Sequence, residues 1–276
     1  PLRLVGSEMC IRDRNMAIQA TFLPTQATNA PKAISPDGSD KTMQEQHIST
    51  AFDRDLEGIQ SNIMKMGGLV EAAMIDSARA LKNRDVELAE RVRGDDKKID
   101  ALEMLINEDC ARLIALRAPM ASDLRAVLSV MKIAGALERV GDYAKNLAKR
   151  TSLLIGSATI DGSEGSLLRM IKEVEAMLGD VLNAYVARNT DLALAVRLRD
   201  HTVDQMYNGL FREILTHMME DPRKISTCMH LHFIAKNVER MGDHVTNIAE
   251  QVIYSVSGEL PEDARPKGNL AVADDL

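Results

Sequence analysis

The chain has 276 residues, 45% hydrophobic and 27% charged, with a formal net charge of −7. That length allows one large domain or two ordinary ones with a real core, and the composition is globular. The acidic balance argues against a general nucleic-acid binder, because phosphate contacts need a basic surface.

The first stretch carries no helical pattern. Ser7–Arg14 resembles a translated sequencing adapter, so residues 1–14 are expected to be non-native, with Met16 or Met43 as the start. Residues 15–45 are rich in Thr, Ala, Pro, Ser and Gln, and residues 1–45 are expected to be disordered. From Phe52 to Ser257 the periodicity is helical, as expected of a chain with 16 Met, no Trp and 3% aromatics. Turns fall at Asn83–Asp85, Pro119, Asn189–Thr190 and Pro222, with Asp85 and Thr190 expected to cap the helices that follow. Gly156–Gly165 reads as a linker. The predicted organisation is all-α: two tandem three-helix bundles at 46–155 and 166–258, a linker at 156–165, and a loose tail at 259–276. No apolar run approaches the roughly 20 residues of a membrane span. Cys10, Cys110 and Cys228 show neither CxxC spacing nor a disulfide framework, which suits a reducing cytoplasm. Cys110 and Cys228 are expected to be small buried hydrophobes.

The two halves repeat each other. Glu138-Arg-Val-Gly-Asp-Tyr-Ala-Lys-Asn-Leu-Ala148 matches Glu239-Arg-Met-Gly-Asp-His-Val-Thr-Asn-Ile-Ala249, 101 residues later, and Asp96–Asp100 matches Asp200–Asp204, 104 residues later. Two matches in the same order at nearly the same spacing indicate an internal duplication. At roughly 100° per residue, Leu137, Val140, Gly141, Ala144, Leu147 and Ala148 form one buried seam. The second copy buries Val238, Met241, Gly242, Val245, Ile248 and Ala249. Gly141, within its seam, leaves room for another helix to come close.

Glu138, Asp142 and Asn146 form a row flanking that seam, as do Glu239, Asp243 and Asn247. Asp96 and Asp100 border the seam of Leu88, Val92, Ile99, Leu102 and Ile106, and Asp200 and Asp204 lie beside Val196 and Val203. Like charges at i,i+4 cost an isolated helix a few tenths of a kcal/mol, and a bridging cation removes that cost. Hard or borderline ions such as magnesium, manganese or iron take all-oxygen ligands of this kind. The plain alternative is a solvated acidic face, which four pairs in a duplicated pattern make less attractive. Arg139 and Arg240 are expected to point away from the acids. His230 and His232 fall on different helix faces and make no metal pair, and His244 is a further candidate ligand. No phosphate loop, Ser/His/Asp or Cys/His signature is present. A di-metal carboxylate enzyme needs Glu-x-x-His pairs, which are missing here. A metal-free interaction module is the third alternative.

The segments ALERVGDYAKNLAKR, NVERMGDHVTNIAEQ, DKKIDALE and APMASDLRAVLSVMKIA resemble the PhoU family of phosphate-uptake regulators, over about Phe52 to Ser257. The resemblance implies two three-helix bundles side by side and no enzymatic activity. It also implies metal clusters of iron or another ion (manganese, magnesium or zinc) on acid-x-x-x-Asp motifs. The motif residues carry over to Glu138, Asp142, Glu239 and Asp243, and less strictly to Asp96, Asp100, Asp200 and Asp204. Ala136 stands where the family usually has an acid. The implied role is cytoplasmic and negative: an adaptor between a phosphate ABC transporter ATPase and a sensor histidine kinase, reaching the membrane only through partners. A homodimer is expected.

Overall fold

The structure, a computed structural model, describes residues 39–157, 160 and 162–261. The chain divides into Pro1–Thr42 and Met43–Leu276, and the bundles lie in the second unit. The readings of residues 1–14 as non-native, of Cys10, and of the tail beyond 261 fall outside the described residues.

Among the described residues six long helices follow one another: α1 (Ser39–Asn83), α2 (Val86–Arg117), α3 (Ser122–Leu153), α4 (Ser163–Ala187), α5 (Thr190–Glu220) and α6 (Ile225–Ser257), with one 3-10 turn at Pro222–Lys224. There is no strand among the described residues. The start of α1 at Ser39 corrects the expectation that residues up to 45 lie outside helix. Between Pro36 and Pro119 no proline interrupts the chain, and Met43, Gln44, Glu45 and Gln46 are good helix formers.

Each helix exists because its apolar residues recur along one stripe. On α2, Leu88, Val92, Ile99, Leu102, Ile106, Cys110 and Leu113 are buried at steps of three, four or seven residues. On α1 the same spacing buries Phe52, Ile59, Ile63, Met66, Val70 and Met74. Every seam residue expected on α3 and α6 is buried. Each fully buried Leu, Ile or Met contributes about 1.5–3 kcal/mol of transfer free energy. Summed over many such side chains, that outweighs the modest helix propensity of Val and Ile. Cys110 and Cys228 are fully buried free thiols. Burial, and then Asp109, push the Cys110 thiol up to about 11, so it behaves as a hydrophobe and not as a nucleophile.

The helix ends are set locally. The Asp85 carboxylate accepts from the Leu88 amide at 3.0 Å. At the matching turn, Asn189 caps α5, accepting from the Leu192 amide at 3.0 Å. The cap expected at Thr190 is therefore one residue earlier. Thr190 already has helical backbone, and the Asn189 side chain reaches the same orphan amides. Arg84 and Arg188, which end α1 and α4, both adopt left-handed backbone, at φ 55° and 51°. Gly156 and Gly162 take positive φ in the connection to α4, and between them Ile160 is buried. Arg84 ties this connection down by donating to the Leu154 carbonyl at 3.1 Å and pairing with Glu164.

Each three-helix set packs against the other. Helices α3 and α6, equivalent in the duplication, lie against each other, with α2 on α3 and with α4 and α5 on α6. Tyr143 stacks on its repeat counterpart His244, ring centroids 5.7 Å apart. Arg150 sits over the Phe233 ring at 4.3 Å. Helix α1 meets α4 at Gly67, where a Cβ would come within 2.7 Å of Leu182 Cδ1. One continuous apolar core contains residues of all six helices. Among the described residues no helix is long and apolar enough to cross a membrane.

Candidate functional site

The duplicated acids meet because two glycines let their helices approach. A Cβ on Gly141 would stand 3.0 Å from Ile99 Cδ1 and 3.9 Å from Asp96 Oδ1. A Cβ on Gly242 would stand 3.4 Å from Val203 Cγ1 and 3.5 Å from Asp200 Oδ1. In each half the glycine on the central helix therefore receives the aspartate-bearing turn of its neighbour, α2 on α3 and α5 on α6. The close approach also corrects the expectation that all the acids only flank the seam. Asp96 is 4% exposed and Asp200 9%. The other six carboxylates are partly exposed.

In the first half Asp96, Asp100, Glu138 and Asp142 are brought together. Asp100 lies within electrostatic reach of Asp96 and Asp142, and burial followed by that repulsion raises its carboxyl above the usual range. Burial also raises Glu138, helped by the Asp142 charge and a hydrogen bond to Asp142 and opposed by Arg139. Lys145 enters the middle of this set. Its ammonium donates to Asp96 Oδ2 at 2.5 Å and to Asp142 Oδ1 at 3.4 Å. The hydrogen bond to Asp96 is the main reason its pKa is raised. Arg139, expected to point away, turns back along its own helix. Its Nε lies 3.4 Å from Glu138 Oε2 and its Nη1 3.8 Å from Asp142 Oδ2. A long side chain at i+1 and i−3 relative to these acids reaches both, which a Cβ direction alone does not convey.

In the second half Glu239 is within electrostatic reach of Asp243 and Asp204, and burial raises its carboxyl well ahead of those charges. Asp200 lies across Gly242 from them. Lys236 donates to Glu239 Oε1 at 2.7 Å, while Glu239 Oε2 is buried with no hydrogen-bond partner among the described residues. The same lysine lies 5.2 Å from the centre of the Tyr207 ring.

All eight donors are carboxylates, the ligand class of hard divalent cations. As placed, no three His, Cys, Asp or Glu side chains among the described residues converge tightly enough to hold an ion together. Glu239 Oε2 is the one buried acceptor among the eight acids with no donor among the described residues, and it is the feature of the second set that a cation would satisfy. In the first set a lysine already stands between the acids. Sequence reasoning missed Lys145 and Lys236. Their signal was present: Lys145 is three residues after Asp142, and Lys236 three before Glu239, spacings that share a helix face. His244, the further candidate ligand, stacks on Tyr143.

On the same helix as Lys236, His232 faces α5. Its ring packs against Phe211 at 5.2 Å and Tyr207 at 6.1 Å, both on α5. Its Nδ1 is buried without a hydrogen-bond partner among the described residues. Burial, and then the Lys236 ammonium on its own helix, hold its pKa below the ordinary imidazole value. The unfolded chain therefore binds this proton more readily than the folded one. Stability from this residue is complete above the unfolded pKa and is lost as pH falls from that value to the folded one. Denaturant midpoints are expected to decline on acidification through the ordinary histidine range, and to decline less in His232→Leu. Equal slopes in the two proteins would show that His232 does not titrate as described.

The family model described as the PhoU domain matches the chain twice, over residues 63–151 and 167–252. The chain is 45% identical over 228 residues to a phosphate-specific transport system accessory protein PhoU homolog of Rhizobium meliloti, covering 83% of this chain and 96% of that protein. It is 49% identical over 226 residues to the homolog of the same name from Zymomonas mobilis, covering 82% and 95%. Its fold is similar to the crystal structure of PhoU from Pseudomonas aeruginosa, with TM-score 0.73 and 40% identity over 75% of this chain and 100% of that one. It is also similar to the phosphate transport system regulatory protein PhoU from Streptococcus pneumoniae, with TM-score 0.72 and 32% identity over 77% and 100%.

Proposed function

The chain belongs to the PhoU family, and from that premise we propose that it is a non-enzymatic negative regulator of phosphate uptake and of phosphate-starvation signalling. The observation that carries the proposal is the family match over both repeats, at 63–151 and 167–252, in a chain whose relatives are named as accessory proteins of the phosphate-specific transport system. In this reading the protein works in the cytoplasm as an adaptor, between the ATPase of a phosphate ABC transporter and a sensor histidine kinase, and it forms a homodimer. The duplication supports an adaptor physically. Two related bundles fused through α3 and α6 present two related surfaces in a fixed mutual geometry, so one partner's binding can bias the other only through a shared rigid element.

Asp200, Asp204, Glu239 and Asp243 would hold a divalent or trivalent cation such as iron, manganese, magnesium or zinc. Such an ion, when bound, supplies charge neutralisation between α5 and α6. The carboxylates of this chain set the energetics: two come from each helix, so relief of their repulsion favours the packed arrangement of that pair.

Deletion of the gene in its host tests the regulatory reading. Starvation-responsive genes are expected to be expressed in abundant phosphate, and a copy of this chain supplied in trans is expected to silence them again. If the deleted strain stays repressed and normally inducible, the reading is wrong.

A further inference from the structure

The two acid sets descend from one duplicated unit, yet they differ at one position in a way that changes what each can bind. Lys145 and Thr246 are equivalent in the repeat, three residues after Asp142 and Asp243 respectively. In the first half this position delivers an ammonium 2.5 Å from Asp96 Oδ2 and 3.4 Å from Asp142 Oδ1. Asp96 is nearly sealed from water, so this contact is made in a poorly solvated place. In the second half the same position holds a neutral hydroxyl, Thr246 Oγ1, buried without a hydrogen-bond partner among the described residues. The second half has its own lysine elsewhere. Lys236 meets Glu239 from one turn earlier on α6, and its equivalent in the first half is Gly135.

We propose that Lys145 is a built-in cation that takes the place of a metal ion in the first acid set. The inference rests on the metal reading proposed above for the second half. Three physical points support it. The ammonium is tethered to α3, so it competes with free ions at a high effective concentration. It lies between one carboxylate of α2 and one of α3, so it offsets negative charge on both helices at once. Arg139 adds a second positive charge beside Glu138 and Asp142, so an incoming divalent ion meets repulsion as well as occupied acceptors. The first acid set is thus stapled by the chain itself.

The test uses the full chain, stripped with chelator and titrated with Mn²⁺ alone under equilibrium dialysis, with circular dichroism confirming that each variant is folded. Asp96→Asn with Asp142→Asn is expected to leave Mn²⁺ affinity and stoichiometry unchanged. Asp200→Asn with Asp243→Asn is expected to weaken binding at least tenfold. Lys145→Thr, which copies the second half, is expected to add a second Mn²⁺ site that disappears when Asp96→Asn and Asp142→Asn are introduced with it. Loss of Mn²⁺ in the first-set variant of otherwise native sequence overturns the inference while leaving the metal reading intact. A native chain that binds no Mn²⁺, with a Lys145→Thr chain that binds one, removes the metal reading for the second half and upholds Lys145 as the substitute ion. If neither chain binds, both fall.

Discussion

Gly141→Leu is expected to destabilise the chain by on the order of 3 kcal/mol, the upper part of the usual range for overpacking a helix contact. A Cβ alone would already sit 3.0 Å from Ile99 Cδ1 and 3.4 Å from Ile99 Cγ2. Leucine adds three further carbons where α2 and α3 have no space between them, so the helices must separate or both side chains must leave their rotamers. Separation also carries Asp96 away from Lys145, so the loss of packing and the loss of the buried charge contact come together. The control is Gly94→Ala on the exposed side of α2, where an added Cβ meets nothing within 4 Å. That change is expected to stabilise by about 0.5–1 kcal/mol through helix propensity. Urea unfolding followed by circular dichroism reads both, as shifts in midpoint at constant slope. A Gly141→Leu chain within about 0.5 kcal/mol of the native one would show that α2 and α3 are not held by this close approach.

Lys145→Ala is the second large effect, with an expected loss of about 1–3 kcal/mol in the presence of chelator. Removing one partner of a fully buried ion pair costs about 3–5 kcal/mol, because the surviving charge is left in a poor dielectric. Here the lysine side chain is 40% exposed while Asp96 is 4% exposed, so water recovers part of the difference and the figure is discounted accordingly. The charge left behind sits beside Asp100, which already feels Asp96 and Asp142 as like charges. Lys145→Ala combined with Asp96→Asn is expected to recover a good part of the loss, since the second change removes the stranded carboxylate. The double-mutant cycle measures that coupling directly. Additive losses, with no recovery in the double variant, would mean that Lys145 stabilises through the packing of its hydrocarbon stem and not through Asp96.

The seam of α3, from Leu137 to Ala148, and its repeat on α6 were legible because a helix puts i, i+3, i+4 and i+7 on one face whatever surrounds it. All of those residues are buried. Arg139 was misread by the same rule. The rule fixes where a Cβ points, but a side chain with four rotatable bonds goes where charge draws it, and Arg139 folds back to Glu138 and Asp142. The cap at Asn189 was missed by one residue because Asn and Thr are both good caps, and only backbone angles tell which one precedes the first helical residue.

The sequence by itself determined that this protein is a duplicated helical unit of the PhoU family, with a glycine in each central seam and four acids beside it. Those properties are periodic or local, and periodic and local information survives in one dimension. The tertiary structure decided which acid is buried, which cation meets it, and how the halves differ. Asp96 and Asp142 are 46 residues apart in the chain (96 to 142), and nothing along that interval specifies that Lys145 will stand between them. That contact depends on how closely α2 settles on Gly141, and its strength on the water that the packing excludes. Burial and electrostatic strength are properties of assembled helices, and they exist only once the faces have met.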